Sequence, residues 1–547
     1  MKPIWASIAI LGAAAAAVGP MACNSHSSSP EPVPILSRAQ LLDPNTCATC
    51  HSAHYHDWSQ SMHAYASKDP VFLAMNARGQ RETGGQLGTF CVQCHAPMAV
   101  RDGMTTDGLN LASLPAVYQQ GVTCFFCHTI ESVSVAHGGP IAADAAFDPD
   151  ASLDNSAVNL ASDLVMRGEY PCTPGPSTCT AQSAVPLVAN TAHASAYSPL
   201  HDHYQPQSAQ LCGACHDVVS PPGGDIERTY YEWSHSVYAT TGAQSELTTC
   251  AASGCHMSAE PTLGPIASGQ GFSAPARTVH EHDFPGVDVA LDPNFPNSAA
   301  AANERGVVQQ KLDSETLQGA VCVTELGGVR VVLDAVSVGH QWPSGATQDR
   351  RAWVEVRAYR DGQLIYHSGV VPDGGTPTQV TGDPDLWLLR DCMFGVDGGQ
   401  VDMFWQAAST QGNELPELTS TLGISNGTYT HRTQLFPRQP GTPITIDGGA
   451  VRPDDVIVSV YMQPVGLDVL EDLVDSGDLD AGVIANMPVF QVSLTGPDTS
   501  GSLEWTPGAA TAAYQFDPWD NTPSTCVTSS GFNFAGALAQ DHTLCSP

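Results

Sequence analysis

Cys47-Ala-Thr-Cys50-His51, Cys91-Val-Gln-Cys94-His95 and Cys124-Phe-Phe-Cys127-His128 follow one another in the N-terminal part of the chain. Cys212-Gly-Ala-Cys215-His216 repeats the pattern, and Cys250-Ala-Ala-Ser-Gly-Cys255-His256 widens it to four residues between the cysteines. Two cysteines separated by two residues, with a histidine directly after, are the attachment signature of a c-type haem. On one helical turn both sulfurs reach the vinyl groups of a porphyrin, and the adjacent imidazole rises to the iron as its proximal ligand. Structural zinc also takes Cys and His, four of them in a tetrahedron, but it seldom asks for histidine immediately after the second cysteine. Disulfide pairs would not place a histidine after all five. The spacing therefore predicts five covalently attached haem c groups. Their thioethers fall at Cys47, Cys50, Cys91, Cys94, Cys124, Cys127, Cys212, Cys215, Cys250 and Cys255, and their proximal ligands are His51, His95, His128, His216 and His256.

The chain has 547 residues, with 20 Lys+Arg against 55 Asp+Glu and a formal net charge of −35. That balance excludes nucleic acid as a partner and favours basic proteins. The first 22 residues read as an export signal, with Lys2 before an apolar run from Ile4 to Val18 that is short for a membrane span. Two cleavage readings compete. Signal peptidase could cut near Ala22, or Met21-Ala22-Cys23 could serve as a loose lipobox with Cys23 lipidated and attached to a membrane. Pro20, where leucine is preferred, speaks against the second, whereas the polar tether over 23–40 is what a lipoprotein needs. The tether tips the reading to a lipoprotein, exported to the periplasm or the outer-membrane and cell surface. Apart from the haem cysteines and Cys23 there remain Cys172, Cys179, Cys322, Cys392, Cys526 and Cys545. An even remainder in an exported chain predicts disulfides, and proximity in sequence pairs Cys172–Cys179, Cys322–Cys392 and Cys526–Cys545.

The fold class expected is mixed: a haem-packed, mostly α and irregular domain over 41–290, then a linker over 291–317, an antiparallel β-sandwich-like domain over 318–499 and an irregular tail over 500–547. The haem region shows only short helical pieces, at Val71–Arg78, within Leu111–Gln120 and at Arg228–Thr240. Porphyrin faces must supply much of its buried surface, so folding should depend on haem insertion.

Several residues around the motifs resemble the cytochrome c554 family of multihaem cytochromes. These are Trp58-Ser-Gln-Ser61-Met-His63-Ala64, Gly121-Val-Thr-Cys-Phe-Phe-Cys-His128, Cys212-Gly-Ala-Cys-His-Asp217, Glu232-Trp233 with Ser236, Cys255-His-Met257 and His282-Asp-Phe284-Pro-Gly286. The resemblance spans about residues 44–290 and implies stacked, mostly bis-histidine haems that carry electrons. The name-giving member has four haems, and the insertion at about 142–198 is a further departure. By the resemblance His63 and His282 are distal ligands, with His280 the near alternative to His282. Placement in the chain adds His137, after the third motif, and His203 or His201, before the fourth. His54, His56, His193 and His235 carry less, and His26 falls in the tether.

In the C-terminal half, β-rich segments recur at Val329–Val338, Ala352–Tyr359, Gln363–Gly369, Val456–Met462 and Val489–Leu494, with Asp361-Gly362 marking a tight hairpin. Val338-Gly-His340-Gln-Trp-Pro343-Ser-Gly345 resembles a Gly-His-x-x-Pro-Thr/Ser-Gly motif of β-domains fused to multihaem cytochromes. It implies that His340 reaches an iron of the haem part; the bland alternative is a turn histidine bonded to backbone. The function expected is extracytoplasmic electron transfer to redox partner proteins or extracellular acceptors. The rivals are an oxidoreductase for a small nitrogen or sulfur compound at one open-site haem, and a self-assembling haem filament. Without a Cys-x-x-Cys-Lys motif, a lysine-ligated active haem is absent, and the wide Cys250–His256 site is where an odd haem is sought first.

Overall fold

The computed structural model describes residues 38–132, 206–239, 248–419, 431–510 and 520–529, apart from short gaps, together with a few isolated strand pieces and His201. The export signal, most of the tether, His137, His203, Cys172, Cys179 and Cys545 lie outside the described residues.

The first half is built of short helices that begin with strong local signals. Pro44–Ala48 starts with Pro44 behind Asp43, whose carboxylate accepts from Asn45 N. Cys124–Thr129 starts behind Thr123, whose hydroxyl accepts from Phe126 N. Helix α1 (Ser52–Gln60) joins the first motif to the short turn that carries His63. Helix α2 (Pro70–Glu82) is capped by Asp69 and buries Val71, Phe72, Ala74 and Met75. At Gly79 an added Cβ would lie 2.5 Å from Leu87 and 3.0 Å from Trp405, so α2 packs almost backbone-on against the second half. Helix α3 (Thr229–His235) follows the fourth motif and buries Tyr230, Glu232 and Trp233.

The stretch read as a linker is mostly helix α4 (Ser298–Asp313), capped by Asn297. It acts as a strut. Lys311 donates to the carbonyls of Gly254 and Cys255 on the haem side, while Arg305 and Gln309 donate to Asn486 O and Gln491 O on the sheet side, both at 2.8 Å.

The second half is a pair of mainly antiparallel sheets sharing one hydrophobic core. One holds, in spatial order, Ala512–Phe516, Asp520–Thr528, Gln318–Thr324, Val329–Asp334, Arg432–Phe436 and, pairing in parallel, Leu538–Ala539. The other centres on Arg351–Arg360 and Asp455–Gln463. Along the former strand Val354, Val356 and Ala358 are buried while Glu355, Arg357 and Tyr359 are half-exposed, the period-two pattern of a one-sided strand. Asp361 and Gly362 take φ of 51° and 74°, the left-handed pair a two-residue hairpin requires.

Two expectations are corrected here. The tail is not irregular throughout: Leu503–Trp505 joins the second sheet and Asp520–Thr528 runs beside Gln318–Thr324 in the first. That pairing sets Cys322 directly opposite Cys526, and the two form a disulfide, so neither Cys322–Cys392 nor Cys526–Cys545 forms. Cys392 is disulfide-bonded to a partner outside the described residues. Closeness in sequence misled because strand pairing, not chain distance, decides which Cα atoms come within bridging range.

Charged pairs hold the halves together. Arg78 meets Asp472 at 2.5 Å, Arg81 grips both oxygens of Asp478 at 2.5 and 2.6 Å, and buried Arg350 forms a bidentate pair with Asp288 at 2.8 and 2.9 Å.

Candidate haem centres

In the first, second and fourth motifs the histidine N–H bonds back to the carbonyl of the first cysteine, at 2.8 Å for His51, 3.3 Å for His95 and 3.0 Å for His216. The wide motif closes the same way, with His256 N to Cys250 O at 3.1 Å. Its two extra residues bulge out at Gly254, whose φ of 88° is a left-handed turn, and Lys311 ties down that bulge. The longer spacer thus returns the histidine to the same place relative to the first cysteine.

None of the ten motif cysteines is in a disulfide. Burial pushes Cys91 and Cys127 up to about 12, so both stay protonated at neutral pH. Thiols of different motifs touch: Cys47 with Cys124, Cys94 with Cys215, and Cys212 with Cys250. The first motif therefore lies beside the third, and the fourth beside both the second and the fifth. Among the described residues no three or more His, Cys, Asp or Glu side chains converge as a metal-ligand set.

Several histidine rings lie in pairs. His63 lies 6.3 Å from His216, His282 6.3 Å from His128, and His340 6.3 Å from His256, measured between ring centroids. Two metal–imidazole bonds of about 2.0 Å, with the ring radii added, bring centroids to about 6.3 Å. The latter two pairs are nearly parallel, at 18° and 14°, and the first is tilted at 50°. Burial pushes His63 down to about 3 and His256 and His282 to about 4, leaving neutral imidazoles, the form that binds metal. Nδ1 is bonded away from the partner ring: His256 to Pro285 O at 2.8 Å, His282 to His280 O at 2.9 Å and His340 to Gln341 O at 2.7 Å. His51 and His280 are dressed alike, on Ile266 O at 2.7 Å and Met257 O at 2.9 Å. An Nδ1 held by a backbone carbonyl fixes the ring orientation and the tautomer, the arrangement usual for a metal-ligating imidazole. The arrangement fits haem.

His63 is held through its backbone. Val122 N donates to His63 O at 2.8 Å, Trp58 Nε1 donates to Val122 O at 2.7 Å, and a Cβ at Gly121 would sit 2.0 Å from His63 O. Only glycine permits that approach, which stitches the His63 turn to the lead-in of the third motif. His340 rides on a loop of the β-domain that docks on α3. Glu232 accepts from Gln341 N at 3.2 Å and Ser344 Oγ at 2.7 Å, while Arg350 grips Ser344 O at 2.7 Å from the other side.

Other candidates sit differently. His201 stacks on His128 at 5.3 Å, but its Nε2 bonds Cys127 O at 2.8 Å. His54 lies edge-on to His282 at 4.7 Å, and burial pushes it down to about 4. His95 bonds Ala66 O at 3.3 Å, and the ring stacked on it, at 4.1 Å and 4°, is Phe72. His56 and His235 are exposed. The wide fifth motif, singled out as the place for an odd haem, has a histidine facing His256. Sequence reasoning missed Glu227, whose carboxylate accepts from His216 Nδ1 at 2.8 Å, and the anchoring role of Glu232. Glu227 is a single acid without a motif of its own, and Glu232 stood in the sequence only as part of the Glu232-Trp233 resemblance.

Residues 46–129, which contain the first three motifs and His63, match the family described as cytochrome c554 and c-prime. That segment is similar to this family, and the match covers about one-seventh of the chain. None of the curated proteins matches the chain. Among solved structures the chain is similar to a penta-heme cytochrome c552 from Thermochromatium tepidum, at 16% identity over 85% of this chain and 99% of that one, with a TM-score of 0.46.

Burial, with Glu417 and Asp391 nearby, pushes the Glu232 carboxyl up to about 8 from its ordinary 4.5, against the hydrogen bonds that lower it. Between those two values the unfolded chain releases a proton that the folded chain keeps. Stability should therefore fall as pH rises through this window, by a contribution of about a few kcal/mol. Glu232→Gln keeps the acceptor and removes the titration. In urea denaturation at pH 5 and pH 8, the variant is expected to gain on the wild type at the higher pH. An equal difference at both would rule out a raised Glu232.

Proposed function

We propose that the chain is an exported cytochrome c that holds five haems and carries electrons through them to a redox partner or an extracellular acceptor. The observation that carries this reading is the set of three histidine pairs at 6.3 Å, each joining a motif histidine to one far away in sequence. In this reading the motif cysteines form the thioethers. His63, His282 and His340 are distal ligands to the centres at His216, His128 and His256. His137 and His203 remain candidates for the others. When bound, the haems supply one-electron Fe(III)/Fe(II) couples. The protein's part is to keep His63, His256 and His282 neutral by burial and to fix ring orientation through Nδ1. Touching thiols of neighbouring motifs support short steps from the first centre to the third and from the fourth to the second and fifth. Lys2, the apolar run to Val18 and the Cys23 tether support export and lipid attachment. Among the described residues no helix is long and apolar enough to cross a membrane.

Intact mass and an EPR spectrum of the oxidised holoprotein test this. Five haem additions with low-spin signals are expected; four additions would remove the centre at Cys250–His256. A second reading has one observation in its favour, the Phe72 ring lying on His95. It predicts one high-spin centre whose signal shifts with nitrite or hydroxylamine, and an enzyme acting there.

A further inference from the structure

We propose that Glu227 lowers the reduction potential of the centre at His216, and that the β-domain holds Glu227 in place to do so. The inference rests on the reading that His216 binds a haem iron. His216 Nδ1 lies 2.8 Å from Glu227 Oε1, whereas the motif histidines His51, His95 and His256 give Nδ1 to backbone carbonyls. With Nε2 on a metal, Nδ1 carries the proton and donates it. A carboxylate acceptor draws that proton more strongly than an amide carbonyl does. The imidazole becomes more electron-donating, which favours ferric over ferrous iron. One electron is added on reduction and no proton needs to move.

The surroundings leave Glu227 to this task. Its chain neighbour Arg228 is engaged by Asp217, at 2.5 Å, and by Asp225, and Arg350, whose charge also reaches Glu227, is held in a bidentate pair by Asp288. Glu227 ends a hairpin of Val218–Val219 and Asp225–Glu227 in which it pairs with Val218. The hairpin is clamped to the second half. Ser220 Oγ and Gly224 N both donate to Ala407 O, the latter at 3.1 Å, and Gln348 Nε2 donates to Ile226 O at 3.2 Å. A Cβ at Gly224 would lie 2.8 Å from Ala407 O, so any side chain there pushes the hairpin off its clamp.

The test is a redox titration of the full-length holoprotein followed by EPR and visible spectroscopy, with haem counted by mass in the same samples. Glu227→Gln keeps the shape and weakens the pull. One midpoint should rise by a tenfold or larger change in the Fe(III)/Fe(II) equilibrium, which is about 59 mV for one electron, while the others hold. Glu227→Asp, still anionic but one methylene shorter, should raise the same midpoint by less. Gly224→Ala, which leaves Glu227 itself intact, should raise it too, and it carries the test if Glu227→Gln loses a low-spin signal. Midpoints equal to the wild type in both Glu227→Gln and Gly224→Ala, with haem count and low-spin signals intact, would overturn the proposal. A wild type lacking haem at Cys212 and Cys215 would instead overturn the reading beneath it.

Discussion

In the His340→Ala protein one low-spin centre per chain is expected to become high-spin and, once reduced, to bind carbon monoxide one to one. His340 is the β-domain residue whose ring stands 6.3 Å from that of His256, with Nδ1 already committed to Gln341 O. Its loop is pinned from both sides by Glu232 and Arg350, so truncation leaves the loop in place and opens the axial position. Loss of an iron–imidazole bond is an all-or-none change at that centre, which makes this the largest spectroscopic effect predicted for a single residue. His431→Ala is the control. That histidine also lies in the β-domain but pairs with Asp334 at 2.5 Å, and its loss should leave the spectrum unchanged. An unaltered EPR spectrum in His340→Ala would reduce His340 to a turn histidine.

The second large effect concerns folding. Replacing Cys322 and Cys526 together by alanine is expected to cost about 3–5 kcal/mol, because the bridge closes a loop with a sequence separation of 204 residues. Both cysteines are fully buried between strands that pair in register over Ala320–Thr324 and Ser524–Thr528. The loss should appear as a lower denaturant midpoint at unchanged haem content, since the bridge lies in the sheet rather than beside a motif. A cost below about 1 kcal/mol would mean that the unfolded chain is already constrained by its other cross-links. Reduction of the wild type should reproduce the shift only after the sheet opens, because no solvent reaches either sulfur.

The attachment motifs stand out in the sequence because covalent attachment is a local problem. Two sulfurs and an imidazole must share one turn, so Cys47–His51 and its repeats declare themselves by spacing alone. The wide motif was legible for the same reason, although its spacer gave no hint that Gly254 and Lys311 would restore the histidine's position. Strand periodicity and the Asp361-Gly362 hairpin were legible too, since alternation and left-handed turn residues are properties of neighbours in the chain. The tail beyond residue 500 was not. Asp520–Thr528 carries a proline and several polar residues, and it becomes a strand through pairing with Gln318–Thr324.

The sequence by itself set the expectation of five attachment motifs and of a haem-bearing part followed by a β-rich part, and it determined the acidic character of the whole. Each follows from residue type and short-range spacing. Only the tertiary structure decided which histidine faces which: His63 meets the fourth motif rather than its own, His282 the third, and His340 crosses from the other half to the fifth. It alone put Glu227 on His216 and Cys526 on Cys322. These are contacts between residues tens to hundreds of positions apart wherever a strand register or a docked loop intervenes, or side chains whose direction depends on a hairpin clamped from afar. No local preference encodes such distances; they emerge when the two halves close on one another.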